Sequence, residues 1–172
     1  MASTINKVNN ANVYLDGGTL LGKVMEFTLP DLTSKTSESM PLGQIGTSEH
    51  FAGFEKLEGT LKWASLYKEV YLLTANPLST HQVQLRGNVD VYDATGLVEQ
   101  VPAVCYLTCT FKKVPFGTFK AHENVELESE ISITSVKLEY DGESLVEYDA
   151  IANIYKVGGV DVLATYRANL GI

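Results

Sequence analysis

The architecture of this chain is written most plainly in "ENVELESEISITSVKLEYDGESLVEYD", residues 123–149. Val125, Leu127, Ile131 and Ile133 hold odd positions, whereas Val136 and Leu138 hold even ones. Alternation with period two marks a half-buried strand, whose side chains point to opposite faces in turn. The change of phase between Ile133 and Val136 predicts a bulge or bend. Asp141-Gly142 then supplies a tight turn, because glycine takes positive φ without steric cost. The stretch reads as a hairpin with Glu126, Glu128 and Glu130 on the face opposite the core.

The same period recurs on both sides of it. In "HQVQLRGNVDVYD" (81–93), Val83, Leu85, Gly87, Val89 and Val91 alternate with Gln84, Arg86, Asn88, Asp90 and Tyr92. In "EKLEGTLKW" (55–63), Leu57, Gly59, Leu61 and Trp63 alternate with Glu58, Thr60 and Lys62. "LVEQVPAVCYLTCTFKKV" (97–114) places Val101, Ala103, Cys105, Leu107, Cys109 and Phe111 on one face. Pro102 has no N–H to donate, so it belongs near a strand start, at an edge or at a bulge. "NVYLDGGTLLGKVMEFTLP" (12–30) reads as another hairpin around Asp16-Gly17-Gly18.

Two segments carry helical spacing. "SLYKEVYLLTANP" (65–77) sets Leu66, Tyr67, Val70, Tyr71 and Leu73 together, and Asn76-Pro77 stops it. "VDVLATYRANLGI" (160–172) sets Val160, Leu163, Ala164 and Arg167 on one side, with Asp161 as a first-turn acid and Gly171 as a C-terminal stop. Ser37 to Phe54, "SESMPLGQIGTSEHFAGF", reads as a long glycine-rich loop, and loops of that length are usually functional or mobile. The expected fold is mostly β, a two-sheet β-sandwich or distorted barrel with one or two short flanking helices. It forms one domain over residues 1–172, with its long loop at about 37–54.

Of the 172 residues, 21 are acidic and 13 basic, a net charge of −8. So acidic a surface disfavours tight binding to nucleic-acid phosphates or to anionic membrane, but not passage of nucleic acid nearby. No apolar run approaches the roughly 18 residues of a membrane span, and the polar N-terminus has no signal-like segment, so a soluble protein made in the cytoplasm is expected. Cys105 and Cys109 stand about 13 Å apart along one strand face, too far for a disulfide, and are expected to be buried thiols.

A search for chemistry returns little. His50, His81 and His122 have no partner at metal-ligand spacing, and each is expected to be an exposed polar residue. No phosphate-binding glycine motif and no nucleophile elbow occurs. Glu126, Glu128 and Glu130, with Glu123 just before them, form the one candidate carboxylate cluster, and a solvated acidic face accounts for them as ordinary surface. No catalytic residue, metal or cofactor is expected. Two other classes stay open: a β-sandwich ligand-binding module, which needs clustered exposed aromatics, and an enzyme built on the glutamate row.

The chain as a whole resembles the major tail tube proteins of contractile-tailed, P2-like phages, a family that includes the tubes of R-type bacteriocins. The resemblance lies in "NVYLDG" (12–17), in Leu29-Pro30-x-Leu32-Thr33-x-Lys35, in "LEGTLKW" (57–63) and in "LEYDGESLVEYDAIANIYKVGGVDVLATYRANLGI" (138–172). The middle, from about Ala64 to Lys120, matches poorly. The resemblance implies a structural protein rather than an enzyme. It implies six-membered rings that stack into a hollow inner tube, with strands from each subunit closing an inner barrel. Implied partners are the sheath, a baseplate initiator, a tape measure and a tail terminator. DNA would pass through without specific binding, no membrane would be bound, and the location would be a virion tail assembled in the host cytoplasm. A type VI-like secretion tube subunit is the nearby alternative. In such a ring Glu126, Glu128 and Glu130, with Thr60 and Lys62, are expected to face the lumen, the three glutamates repelling one another. Met40, Leu42, Ile45 and Phe51 of the loop are expected to contact a neighbouring subunit.

Overall fold

The computed structural model describes residues 4–172; residues 1–3, counted in the domain expected above, lie outside them. The chain runs β1 (Ile5–Leu15), β2 (Gly18–Thr19), β3 (Val24–Thr28), β4 (Ser34–Ser39), β5 (Ser48–Phe54), β6 (Leu57–Trp63), α1 (Lys68–Thr74), β7 (His81–Asp93), β8 (Gly96–Phe111), β9 (Leu127–Tyr140), β10 (Glu143–Asp149), β11 (Ile154–Val157), β12 (Val160–Asp161) and α2 (Ala164–Leu170). It is mostly β with two short helices. Ten strands form one sheet, and β4 and β5 form a second, separate one.

The large sheet branches at β9. One edge of β9 pairs with β8. Along the other edge, residues 127–133 pair with β6 and residues 135–140 with β10. β6 carries β3 outward, whereas β10 carries β11 and β12. On the far side, β8 leads through β7 to β1 and β2. The phase slip seen in the sequence sits at this branch: Thr108 opposes Ser135 but Cys109 opposes Ile133, so Thr134 is the extra residue of a bulge. The slip lets β9 keep its inward side chains against two diverging limbs.

The core lies inside the curl. Val13 and Leu15 of β1, Leu57, Leu61 and Trp63 of β6, Val83 of β7 and Phe111 of β8 meet Leu127, Ile131 and Ile133 of β9, with Val70 of α1 against them. Cys105 and Cys109 are buried and free. Burial of each large apolar side chain contributes about 1.5–3 kcal/mol. Gly59 is needed where β6 passes β3: a Cβ there would come 2.8 Å from the Thr28 carbonyl oxygen and 3.3 Å from Ile131 Cγ1.

The turns follow their sequence signals. Asp16 (φ 48) and Gly17 (φ 84) join β1 to β2, and Asp141 (φ 50) and Gly142 (φ 79) join β9 to β10. The first hairpin is short, however: β2 pairs only at Tyr14 and Leu15, and β3 leaves β1 to pair with β6. Pro102 sits inside β8, opposite Asn88 and just before Ala103 begins the pairing with β9, at the end of that ladder, where its carbonyl still accepts the Asp141 N–H at 2.9 Å. α1 starts later than its spacing predicts; Leu66 and Tyr67 precede it and only Val70 and Thr74 are buried. α2 ends on Gly171 in the left-handed conformation, as expected. Asp161 is not in its first turn but two residues before the N-cap.

Residues 37–54 are not a loop. They belong to the β4–β5 hairpin, and only residues 40–47 are the connecting tip. The strands "SKTSES" and "SEHFAGF" have no apolar alternation because the hairpin has no core face; it stands off the large sheet and is mostly exposed. Leu42 and Ile45 at its tip are fully exposed.

Candidate functional site

Two surfaces hold the residues singled out by the sequence. The first is the outward face of the curl. Because Leu127, Ser129, Ile131 and Ile133 point inward, Glu128 and Glu130 point outward. Pairing with β6 then sets Lys62 opposite Glu128, Thr60 opposite Glu130 and Glu58 opposite Ser132. β3 adds Glu26 beside Lys62 and Thr28 beside Thr60. Glu126, exposed just before β9, bridges back to Thr118. All five expected face residues therefore lie on one sheet face.

The glutamates there do not simply repel one another. Lys62 Nζ donates to Glu26 Oε2 at 2.8 Å. The hydrogen bond and charge of Glu26 raise the Lys62 pKa above its ordinary value, with Glu128 and Glu126 adding to the effect. Lys113 Nζ lies 3.4 Å from Glu130 Oε1. Lys112 contacts Glu58, and Lys56 reaches it at 2.9 Å; these two hydrogen bonds hold the Glu58 carboxyl below its usual range. Five carboxylates (Glu26, Glu58, Glu126, Glu128, Glu130) thus share the face with four lysines (Lys56, Lys62, Lys112, Lys113), and little of the net −8 resides on it. Further along, Gln82 Nε2 donates to Thr108 Oγ1 at 3.1 Å and the Arg86 guanidinium stacks over Tyr14 at 5.8 Å.

At one end of this face lies an open groove of about 890 Å³, lined among others by Met25, Lys62, Trp63, Phe116 and Glu126. Its walls are lysine–carboxylate pairs and apolar side chains. Among the described residues, no group of three His, Cys, Asp or Glu could hold a metal ion.

The second surface is the β4–β5 arm. Pro41 and Gly43 turn the tip, where Gln44 N–H donates to the Pro41 carbonyl at 3.2 Å. Ser48 Oγ donates to the Ser39 carbonyl at 3.2 Å, and Glu55 N–H donates to the Thr33 carbonyl at 2.9 Å to close the base. Met40, Leu42, Ile45 and Phe51 are all exposed, as their assignment to a contact surface requires.

Other features gave weaker sequence signals. α2 buries none of its residues and is held by Arg167, which donates to the Asn153 carbonyl at 2.9 Å and to Asp161 Oδ2 at 2.5 Å. Tyr166 and Leu170 on it, and Ile151, Val160, Val162 and Ile172 outside it, are exposed. The outer halves of β1, β7 and β8 project beyond the core as a ribbon bearing exposed Ile5, Val8, Leu97 and Val98. Within it the buried Asp90 carboxylate accepts from Asn88 and Gln100, both at 2.7 Å. His81, read from sequence as an exposed residue, is buried instead, with Nδ1 2.7 Å from Asp16 Oδ2. Its place at an inward position of β7, in phase with Val83, was the available signal.

The chain matches the family described as phage tail tube protein FII over residues 5–171. It is 29% identical over 172 residues to the tail tube protein of Escherichia phage P2, covering 96% of this chain and 97% of that one. Among solved structures it is similar to a chain of the extracellular contractile injection system PVC sheath–tube complex in its extended state, with a TM-score of 0.56 and 11% identity over 75% of this chain and 87% of that chain. A chain of the PVC sheath/tube terminator, also extended, gives a TM-score of 0.54 and 10% identity over 77% and 95%. At these identities the two structures speak for the fold alone.

Proposed function

The chain belongs to the phage tail tube protein FII family, and on that premise we propose that it is the structural subunit of the inner tube of a contractile injection particle. It is not an enzyme. Six copies form a ring, and rings stack into a hollow tube inside the sheath. A baseplate initiator starts the tube, a tape measure sets its length and a terminator closes it. The tube belongs to the virion tail and is assembled in the host cytoplasm. It conducts DNA in a phage, and in a DNA-free particle it serves to puncture the cell envelope.

The observation that carries this reading is the arm. A free subunit leaves Leu42 and Ile45 wholly in water at the end of a projecting hairpin. Exposed apolar groups at such a tip call for a cover, and a neighbouring copy supplies it. The charged face fits the lumen. Its lysines are each tied to a carboxylate, so no run of free cations is presented to grip phosphates along the path. The test replaces Leu42 and Ile45 together with Asp and follows tube formation by negative-stain microscopy. A folded subunit that no longer forms tubes is expected; normal tubes would overturn the reading. Glu126, Glu128 and Glu130 changed together to Lys should leave folding intact and slow DNA release from phage particles, and release at the normal rate would remove them from the lumen.

A further inference from the structure

Phe54 meets three aromatic rings edge-on: Phe51 at 5.1 Å, Tyr148 at 4.9 Å and Tyr155 at 4.9 Å between centroids. In a regular strand, residues three apart point to opposite faces, so Phe51 and Phe54 would not touch. A bulge brings them together. Thr36 opposes Phe51 but Lys35 opposes Gly53, which leaves Ala52 as the extra residue. Gly53 makes this possible with φ +114, a conformation side-chain-bearing residues rarely adopt. The aromatic run therefore starts on the exposed side of the arm at Phe51. It passes through Phe54 and ends on Tyr148 of β10 and Tyr155 of β11, with Tyr148 packed on the core. Among the described residues, the arm shares no strand pairing with the large sheet.

We propose that Phe54 is the positioning residue of the arm: its rings aim the apolar tip at the neighbouring subunit before that subunit arrives. This rests on the reading that the tip docks on a second copy. An arm hinged only at its two connections would sample many directions, and a preset direction lowers the ordering cost of each docking event. The bulge at Ala52 and Gly53 is then the joint that couples the arm's exposed face to β10 and β11.

The test compares Phe54→Ala, Phe54→Tyr and the charged tip variant in two assays. One is trypsin cleavage of the free subunit at Lys35, in β4 at the base of the arm, and at Lys56, just after β5, which together report loosening of the arm's base. The other is elongation from sheared seeds of unmodified tubes. Each edge-to-face pair supplies a modest free energy, so losing those to Tyr148 and Tyr155 should raise cleavage about tenfold or more and slow elongation comparably. Phe54→Tyr keeps the ring and should restore both. If Phe54→Ala does not fold, Gly53→Val carries the same expectation, because nothing lies within 4 Å of a Cβ at Gly53 and only the bulge geometry is strained. Unchanged cleavage, or elongation at the normal rate, in the folded variant would overturn the proposal. A charged tip variant that elongates normally would instead defeat the docking reading itself. A tip variant that stalls while Phe54→Ala elongates normally would defeat only the role of Phe54.

Discussion

Ser129 stands between two outward glutamates yet is itself fully buried, because it points inward from β9. Its hydroxyl accepts the Trp63 indole N–H at 2.9 Å, across the β6–β9 pairing that supports the charged face. Ser129→Ala removes the acceptor and leaves that N–H buried without a partner. Such a loss costs about 1–3 kcal/mol, more than the net worth of the hydrogen bond, since the donor cannot return to water. For a chain of this size about 2 kcal/mol corresponds to a fall of about 4–8 °C in Tm. Trp63 is the sole tryptophan, so urea unfolding followed by its fluorescence reports the site directly. The control is the double change. In a Trp63→Phe background the donor is already gone, and Ser129→Ala should then cost well under about 1 kcal/mol, measured by circular dichroism. A Ser129→Ala cost below about 0.5 kcal/mol, within the range of ordinary surface changes, would refute the reasoning. So would an equal cost in both backgrounds.

Cys105 and Cys109 should resist a maleimide reagent at pH 8 in the folded subunit and react once it is denatured. Burial pushes the first thiol up to about 11, and burial together with the Asp16 charge pushes the second up to about 12. The stability they lend is full below the free-thiol value of 9.0 and is lost as pH rises through the folded values. For Asp16, burial raises the pKa, but the His81 hydrogen bond, the Gln82 N–H and the His81 charge outweigh it and hold the carboxyl below 3.8. Its contribution should be fully present above pH 3.8 and fade as pH falls through the lowered value. The Tm gap between the unmodified protein and Asp16→Asn should therefore shrink in acid; a constant gap would contradict the pairing. Gly59→Ala should lower stability by about 1–3 kcal/mol in chemical denaturation, because the added methyl meets the Thr28 carbonyl. Unchanged stability would mean that β3 and β6 are not so close.

The large sheet was legible because its strands obey one rule: a side chain faces either core or water, and the period shows in Val83, Leu107 or Ile131 as it does in Gln82, Thr108 or Glu130. Even the bulge at Thr134 was visible as a change of phase. The arm was missed for the converse reason. With neither face buried, β4 and β5 give no alternation, and Pro41, Gly43, Gly46 and Gly53 make the whole of 37–54 read as loop. The charged face was half legible. Strand phase placed Glu128 and Glu130 outward, but their lysine partners depend on register between strands far apart in sequence. Lys62 comes from β6 and Lys113 from the segment after β8, and no local pattern announces that they meet β9. The aromatic contacts of Phe54 likewise require the bulge and two distant tyrosines at once.

The branching of the sheet at β9 bears on how the subunit comes apart. The limb of β6 and β3 and the limb of β10, β11 and β12 share one edge of a single strand, end to end. Peeling either away exposes part of that edge and strips inward side chains that the other limb also packs against. Neither limb can melt in isolation without weakening its sibling, so the amide hydrogens of residues 129–138 should be the last to exchange with solvent. A subunit built this way behaves as one brittle block rather than two loosely joined halves, a property that would suit the stacked tube proposed above.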